Sequence, residues 1–216
     1  MRRVGMALLA LAGLLALASC ANPDIPWPEL EAKYANVQSK YADLPGGLHV
    51  HYRDQGNPNG PTVVLVHGFA ASLQAWEPWA ARLGADYRII SLDLPGHGLT
   101  RAPAGYVAST DGNVEVVDEL TRRLGAQRFV LGGNSMGGGV AWNYALQHPA
   151  RLRGLMLVDS AGWPSARKKG EGPPAIFRLL GNPVGRAVLK RFDPTPLAER
   201  GLKSAYVDPK LVTPEL

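Results

Sequence analysis

The stretch Leu131-Gly132-Gly133-Asn134-Ser135-Met136-Gly137-Gly138 decides the fold. It contains a Gly-x-Ser-x-Gly pattern, follows the apolar run 129–131 and precedes apolar residues at helical spacing, namely Val140, Ala141, Tyr144 and Ala145. This pattern between a strand and a helix is typical of a sharp turn that lifts a serine hydroxyl above a sheet. The turn is strained and packs closely, so neither flanking position has room for a β-carbon. Ser135 is therefore predicted to be a catalytic nucleophile.

Strand and helix patterns alternate on both sides of this stretch. Upstream, Thr62-Val63-Val64-Leu65-Val66 is a β-branched run suited to a parallel strand that is buried on both faces. The other predicted strands cover 48–53, 87–92, 128–131 and 155–158, and the predicted helices lie within 73–83, near 112–124 and after Ser135. This alternation predicts a doubly wound, mostly parallel α/β sheet. Ligands bind such sheets at the carboxyl ends of the strands.

A second motif, His67-Gly68-Phe69, directly follows the predicted strand 62–66. The backbone N–H groups of Phe69 and Met136 are predicted to form an oxyanion hole facing Ser135. His67 is interpreted as a buried histidine that bonds loop backbone, and this interpretation is favoured over a role as the general base.

Residues 47–160 resemble the α/β-hydrolase superfamily, in particular the group with a lid inserted after the sixth strand. Besides the two motifs above, the segment Leu92-Asp93-Leu94-Pro95-Gly96-His97-Gly98-Leu99-Thr100 is similar to the D-x-P-G-x-G-x-S loop of that family. The resemblance implies a hydrolase core over 47–160 and part of a helical lid over 161–216. It also implies that His97 and His148 are structural.

The same resemblance places the catalytic acid and the catalytic histidine after the lid, in the chain order Ser, Asp or Glu, His. The histidines of this chain all precede or closely follow Ser135. Asp159 ends a predicted strand and is a possible acid, although a loop role is favoured for it. We therefore expect the 216 residues to be an incomplete fragment of a longer hydrolase, with its C-terminal strands missing.

The N-terminus has the features of an export signal. Arg2 and Arg3 precede the apolar run 4–17, and Leu17-Ala18-Ser19-Cys20 resembles the lipobox of bacterial lipoproteins. We expect residues 1–19 to be a signal peptide and Cys20 to carry the lipid that anchors the protein to a membrane surface of the bacterial envelope, facing the periplasm or the outside. Residues 20–46 are then expected to be a tether and N-terminal segment, with folded structure beginning near Leu48.

The chain is basic, but its sequence does not indicate a nucleic-acid partner. The formal net charge is +5, and the excess lies after residue 160. For the basic segment 167–169, a solvated loop is favoured over contact with anionic headgroups. Nothing resembles a nucleic-acid-binding motif, and a single cysteine excludes an intrachain disulfide.

These features predict a serine hydrolase that cleaves a small-molecule ester through an acyl-enzyme, without a metal or an organic cofactor; a thioester and an amide are alternative substrates. We call the turn 133–137, which carries Ser135, the elbow. A serine at the elbow disfavours the dehalogenases and epoxide hydrolases, which share the resembled fold but use a carboxylate nucleophile. Carbon-carbon bond hydrolases of ring-cleavage products remain an alternative, because their elbow resembles Gly-Asn-Ser-Met-Gly-Gly. A catalytically inactive binding protein and a structural role at the envelope surface also remain open.

Overall fold

The computed structural model describes residues 24–162 and scattered positions in the C-terminal part, which are 178, 179, 181, 182, 185, 196, 199–201, 203, 208 and 210. The chain divides into two compact units, one of residues 26–166 and one of residues 1–25 with 167–216. Some described positions of the second unit are helical, and Glu199 forms an ion pair with Lys203 there. The predicted signal peptide and Cys20 lie outside the described residues, as do most residues of the predicted lid. Among the described residues, no helix is long and apolar enough to cross a membrane.

Six strands form one sheet in the order β1-β2-β4-β3-β5-β6. The pairs β1–β2 and β2–β4 are antiparallel, and the other neighbouring pairs are parallel. The predicted doubly wound, mostly parallel sheet is thereby confirmed. The strands of this sheet are β1 (Ser39–Leu44), β2 (Leu48–Gly56), β3 (Thr62–Val66), β4 (Arg88–Leu92), β5 (Phe129–Asn134) and β6 (Leu152–Val158). Within residues 24–162, the α-helices are α1 (Trp27–Tyr34), α2 (Glu77–Leu83), α3 (Thr110–Arg123) and α4 (Met136–Gln147).

The sheet has an apolar core on each face. Side chains alternate between the two faces of a strand, so neighbouring residues of β3 belong to different cores. Val64 packs in the larger core with residues of α3 and α4, whereas Val63 and Leu65 pack in a smaller core with Trp76 and Ala80. Both faces of β3 are therefore covered, as its continuous β-branched sequence predicts.

The helix α3 begins at Thr110, two residues before the predicted start. The hydroxyl of Ser109 accepts a hydrogen bond from the amide of Gly112 at 3.0 Å and thereby satisfies one of the free N–H groups at the helix start. The boundary is thus set by the capping serine.

The expected start of folded structure near Leu48 is wrong. Residues 39–44 form β1, which pairs with β2 in a hairpin, and α1 precedes them. The segment Pro45–Gly47, interpreted from the sequence as part of a tether, is the connecting turn, with Gly46 at φ 77° and Gly47 at φ 74°. A short strand of mainly polar residues is stabilised by its pairing, which the sequence pattern alone does not reveal.

Candidate active site

Ser135 lies at the junction between β5 and α4. Its backbone has φ 50° and ψ −114°, a conformation that costs energy for any residue except glycine. The surrounding structure must therefore hold it there. The strand before it and the helix after it direct its half-buried side chain to the carboxyl edge of the sheet, where the sequence places the nucleophile.

Glycines make this turn possible. A β-carbon at Gly133 would lie 2.1 Å from the carbonyl oxygen of Gly137. One at Gly137 would lie 2.3 Å from the carbonyl oxygen of Val66 and 2.5 Å from that of His67. Such separations are shorter than any van der Waals contact. Glycine at position 133 therefore allows the tight turn from β5 into α4, and glycine at position 137 allows the first turn of α4 to pack onto the end of β3.

The loop after β3 packs directly on the elbow. A β-carbon at Gly68 would lie 3.3 Å from the β-carbon of Ser135. Phe69 is the next residue, and Met136 is the first residue of α4, where backbone N–H groups lack partners within the helix. The two amides predicted to stabilise an oxyanion thus belong to segments that meet at Ser135, while their catalytic role stays a prediction.

His67 is buried and fixed by backbone contacts. Its Nδ1 lies 2.7 Å from the carbonyl oxygen of Gly68, to which it donates, and its Nε2 accepts from the amide of Leu94 at 3.0 Å. Burial lowers the pKa of the imidazole, so the ring is neutral. With both nitrogens engaged, His67 has no lone pair for a serine proton, which confirms its predicted structural role.

The other histidines also have partners away from Ser135. The ring of His49 bonds Asp43, and that of His51 bonds Asp93. The Nδ1 of His97 lies 3.4 Å from the carbonyl oxygen of Pro95, and the ring of His148 packs on Tyr144. Within residues 24–162, no histidine nitrogen bonds the Ser135 hydroxyl. The described residues therefore show no histidine that is hydrogen-bonded to Ser135.

Asp93 organises the loop that follows β4. Its carboxylate accepts from the amides of Leu73 and Leu99 and from Nδ1 of His51, at 2.7, 2.9 and 2.7 Å. Burial opposes its charge, but these hydrogen bonds outweigh burial and lower the pKa of the carboxyl. A β-carbon at Gly98 would overlap the carboxylate. The similarity of this segment to a family loop therefore has a structural basis, since the carboxylate joins three segments behind the site.

The end of β6 and the segment after it brace the elbow through backbone hydrogen bonds, which the sequence does not predict. The N–H of Ser135 donates to the carbonyl of Val158 at 2.9 Å, and the carbonyl of Ser135 accepts from the amide of Ala161 at 2.8 Å. The indole Nε1 of Trp142 donates to the carbonyl of Ala161 at 3.0 Å. Asp159 is exposed, with φ 46°. The only signal in the sequence was that this segment follows a strand at the same edge of the sheet.

A small cavity adjoins the elbow. Its volume is about 140 Å³, and it reaches from the loop after β3 to the ends of β5 and β6. Part of its wall consists of Trp76 and Trp79, whose rings pack edge to face with centroids 5.5 Å apart. The residues that line it are His67, Gly68, Ala75, Trp76, Trp79, Asn134 and Val158.

Comparison with known proteins agrees with this geometry. The family model described as alpha/beta hydrolase fold matches residues 61–191. A monoacylglycerol lipase of Xenopus laevis is 35% identical over 130 residues, which are 58% of this chain and 38% of that protein. A 2-hydroxy-6-oxononadienedioate/2-hydroxy-6-oxononatrienedioate hydrolase of Paraburkholderia phymatum is 36% identical over 141 residues, 62% of this chain and 46% of that protein.

Among solved structures, a membrane phospholipase A is similar with a TM-score of 0.60 and 27% identity. That likeness covers 96% of this chain and 77% of the other. The chain spans less than half the length of both curated relatives described above.

Proposed function

Because this chain belongs to the α/β hydrolase fold family, whose model matches residues 61–191, we propose that the complete protein is a serine hydrolase that cleaves carboxylic esters. The observation that carries the proposal is the strained backbone of Ser135 at the end of β5, with Gly68 packed against it. An energetically costly conformation is retained where a reacting group must be held in place. The ester-cleaving relatives support the substrate class.

In the proposed reaction, Oγ of Ser135 attacks the carbonyl carbon of the ester while a general base takes the hydroxyl proton. The carbonyl oxygen becomes an oxyanion and accepts hydrogen bonds from the N–H groups of Phe69 and Met136. Each such donor contributes about 3 kcal/mol to stabilisation of the transition state. The alcohol then leaves with a proton from the protonated base. Water, activated by the same base, hydrolyses the acyl-enzyme and regenerates Ser135.

The acid and base of this reaction lie outside residues 24–162 in our proposal. The hydrogen bonds of the histidines support this, since both nitrogens of His67 are engaged and His51 is directed to Asp93. His97 reaches the loop after β3 through a ring contact with Phe69, at 5.9 Å between centroids. That contact packs the ring against an aromatic side chain and brings no nitrogen into hydrogen bonding with Ser135.

We also propose that the protein acts at the bacterial envelope, anchored through a diacylglyceryl group on Cys20. The sequence before Cys20 supports this through its two arginines, the apolar run 4–17 and the Leu-Ala-Ser ending. Two acyl chains suffice for a stable membrane anchor.

The proposed nucleophile is tested with a fluorophosphonate probe, which reacts with activated serines. The complete protein, expressed from the full reading frame, should be labelled on the peptide that contains Ser135. A Ser135→Ala variant should take up no label. A Ser160→Ala variant is the matched control, since Ser160 lies at the same edge of the sheet, and it should keep the label. Labelling that persists in Ser135→Ala would disprove the assignment.

A carbon-carbon bond hydrolase is the second candidate, favoured by the 36% identity to the Paraburkholderia phymatum enzyme. Against it, the loop after β3 has Ala70 at φ 55°, a conformation that glycine adopts without strain, whereas that group of hydrolases is richer in glycine and proline there. The complete protein should therefore hydrolyse a p-nitrophenyl ester faster than a 2-hydroxy-6-oxo-dienoate. The reverse ranking would favour this second candidate.

A further inference from the structure

The helix α1 contacts the rest of the fold through polar groups, although it contains aromatic residues. The guanidinium of Arg101 lies over the ring of Trp27, 5.0 Å from its centroid, and pairs with the carboxylate of Glu31. At the other end, the carbonyl of Tyr34 accepts from Arg53 at 3.4 Å and from Gln74 at 3.2 Å. The helix has no buried residue. These contacts fix its position while they leave its apolar side chains partly in solvent.

In the segment 27–37, which is α1 and the turn after it, the exposed large apolar residues are Trp27, Tyr34 and Val37. Trp27 is 38% exposed, Tyr34 is 42% exposed, and Val37 is fully exposed. Trp27 and Tyr34 are seven residues apart, so they lie on the same side of the helix. Single exposed apolar residues are ordinary on protein surfaces, but three within eleven residues on one fixed segment indicate an interaction surface.

Val37 is held outward by the turn that contains it. The side chain of Asn36 accepts from the amide of Gln38 at 2.9 Å, and the hydroxyl of Ser39 accepts from the amide of Asn36 at 3.1 Å. The amide of Ser39 also donates to the carbonyl of Asn36 at 3.0 Å. Polar residues and glycine dominate such turns, so a valine at the tip of a hydrogen-bonded one is a residue that something apolar should cover.

We propose that Trp27, Tyr34 and Val37 form a lipid-contact surface that lies in the headgroup region of a membrane. Tryptophan and tyrosine favour that region because each has an apolar ring and a polar group. Two exposed lysines, Lys33 and Lys40, flank the surface and suit phosphate headgroups. Of the two carboxylates of α1, Glu31 is paired with Arg101, whereas Glu29 is exposed in the first turn.

The chain order favours lipid over a protein partner. Trp27 follows Cys20 by seven residues, and an extended chain spans at most about 3.6 Å per residue, so the two are separated by no more than about 25 Å. If the apolar run 4–17 or a lipid on Cys20 is held in a bilayer, α1 is confined near its surface. A membrane is then the apolar phase within reach of these three side chains.

This surface is linked to the candidate active site. Gln74, which bonds the end of α1, follows the loop that packs on Ser135. Arg53, which also bonds Tyr34, pairs with Glu77 at the start of α2. The helix that carries the lipid-contact surface is thus joined by hydrogen bonds to the segments beside the candidate active site. Resting on the proposed function, this connection favours membrane-borne esters as the substrate class.

The test attaches an environment-sensitive nitrobenzoxadiazole fluorophore to single cysteines in the full 216-residue chain. Val37→Cys and Leu146→Cys are made with Cys20→Ser, and the apolar run 4–17 is kept to hold the chain on the membrane. Leu146 is the matched control, because it is 73% exposed and lies roughly 15 Å along α4 from the elbow. The labelled chains are reconstituted in phosphatidylethanolamine and phosphatidylglycerol vesicles.

The label at position 37 should brighten several-fold on reconstitution and be quenched by doxyl-labelled lipids, while the label at position 146 should respond to neither. Equal responses at both positions, or none at 37, would overturn the proposal. A change at position 37 that needs no vesicles and depends on protein concentration would also overturn it, since a second copy would then cover the surface. No catalytic readout enters the measurement, so its failure is distinct from failure of the proposed hydrolase function.

Discussion

The carbonyl oxygen of Ser135 accepts a hydrogen bond from the amide of Ala161, 2.8 Å away, so the strained residue at the elbow is held by the segment that follows β6. The amide of Ser135 is held from the same side by the carbonyl of Val158 at 2.9 Å. Both backbone groups of the proposed nucleophile are therefore engaged outside its own strand and helix. The position of Ser135 depends on β6 as well as on the Gly-x-Ser-x-Gly sequence.

Trp142→Phe should loosen this brace. The change removes the indole N–H that bonds the carbonyl of Ala161 at 3.0 Å, a loss of about 1 kcal/mol. Hydrogen exchange at the Ala161 amide should accelerate by about fivefold, because local opening becomes easier. Trp79→Phe is the control and should leave this amide unchanged. Unaltered exchange in Trp142→Phe would show that the indole contributes nothing to the brace.

Gly137→Ala should destabilise the fold by about 3 kcal/mol, because the added methyl group meets two backbone carbonyl oxygens that cannot move independently of β3. Gly154→Ala is the control. A β-carbon there would lie 3.7 Å from Val130, an ordinary contact, and should cost less than about 1 kcal/mol. Urea denaturation monitored by circular dichroism compares the two, and equal midpoints would contradict the packing argument.

Asp93→Asn should weaken the protein in a pH-dependent manner. The folded pKa of Asp93 lies below its usual value of 3.8, so its charge stabilises the folded state fully above that value and loses this effect as the pH falls through the folded pKa. The variant should be less stable than the parent by about 3 kcal/mol at neutral pH. The difference should shrink in acid, where the parent also becomes protonated.

Urea midpoints at a series of pH values measure this effect. Asp86→Asn, at an exposed position, is the control and should follow the parent throughout. A difference between Asp93→Asn and the parent that stays constant down to acid pH would show that the charge of Asp93 is not the source of its contribution.

Cys20 should carry a lipid. Cells that express the complete protein and are fed an alkyne-bearing fatty acid should incorporate it, because the Leu-Ala-Ser-Cys sequence follows a basic start and an apolar run. A Cys20→Ser variant should lose the label. An Ala21→Ser variant, which changes the next position, should keep it. Undiminished label in Cys20→Ser would place any acylation elsewhere.

The sequence predicts the parts of this fold whose signals are local. The bounds of β3 agree with those of its β-branched run, and the turn at Ser135 lies where the Gly-x-Ser-x-Gly pattern predicts it. Both features depend on residues that are adjacent in the chain. β1 was missed because its six residues show no clear alternation, and its pairing with β2 stabilises it. The contact of Ala161 with Ser135 joins positions far apart in sequence, and no local pattern records it.

The chain of residues 1–216 alone should hydrolyse esters only at the low residual rate that substrate binding and an oxyanion hole provide without a general base. Activity requires a base about 2.6 to 3.2 Å from the Ser135 hydroxyl. The nitrogens of His67 are both occupied, and His51 is buried against Asp93. A serine without its base still retains a rate about 10³ to 10⁴ above water where the oxyanion donors survive.

A p-nitrophenyl ester assay of this chain, beside the full reading frame, makes the comparison. The full protein should be faster by orders of magnitude, and Ser135→Ala should reduce it to the background rate. If the 216-residue chain is as active as the full protein, one of its five histidines must be the base. His97→Ala would then be the first variant to examine, because its ring lies 5.9 Å from that of Phe69, and a loss of activity there would place the base on the loop after β4.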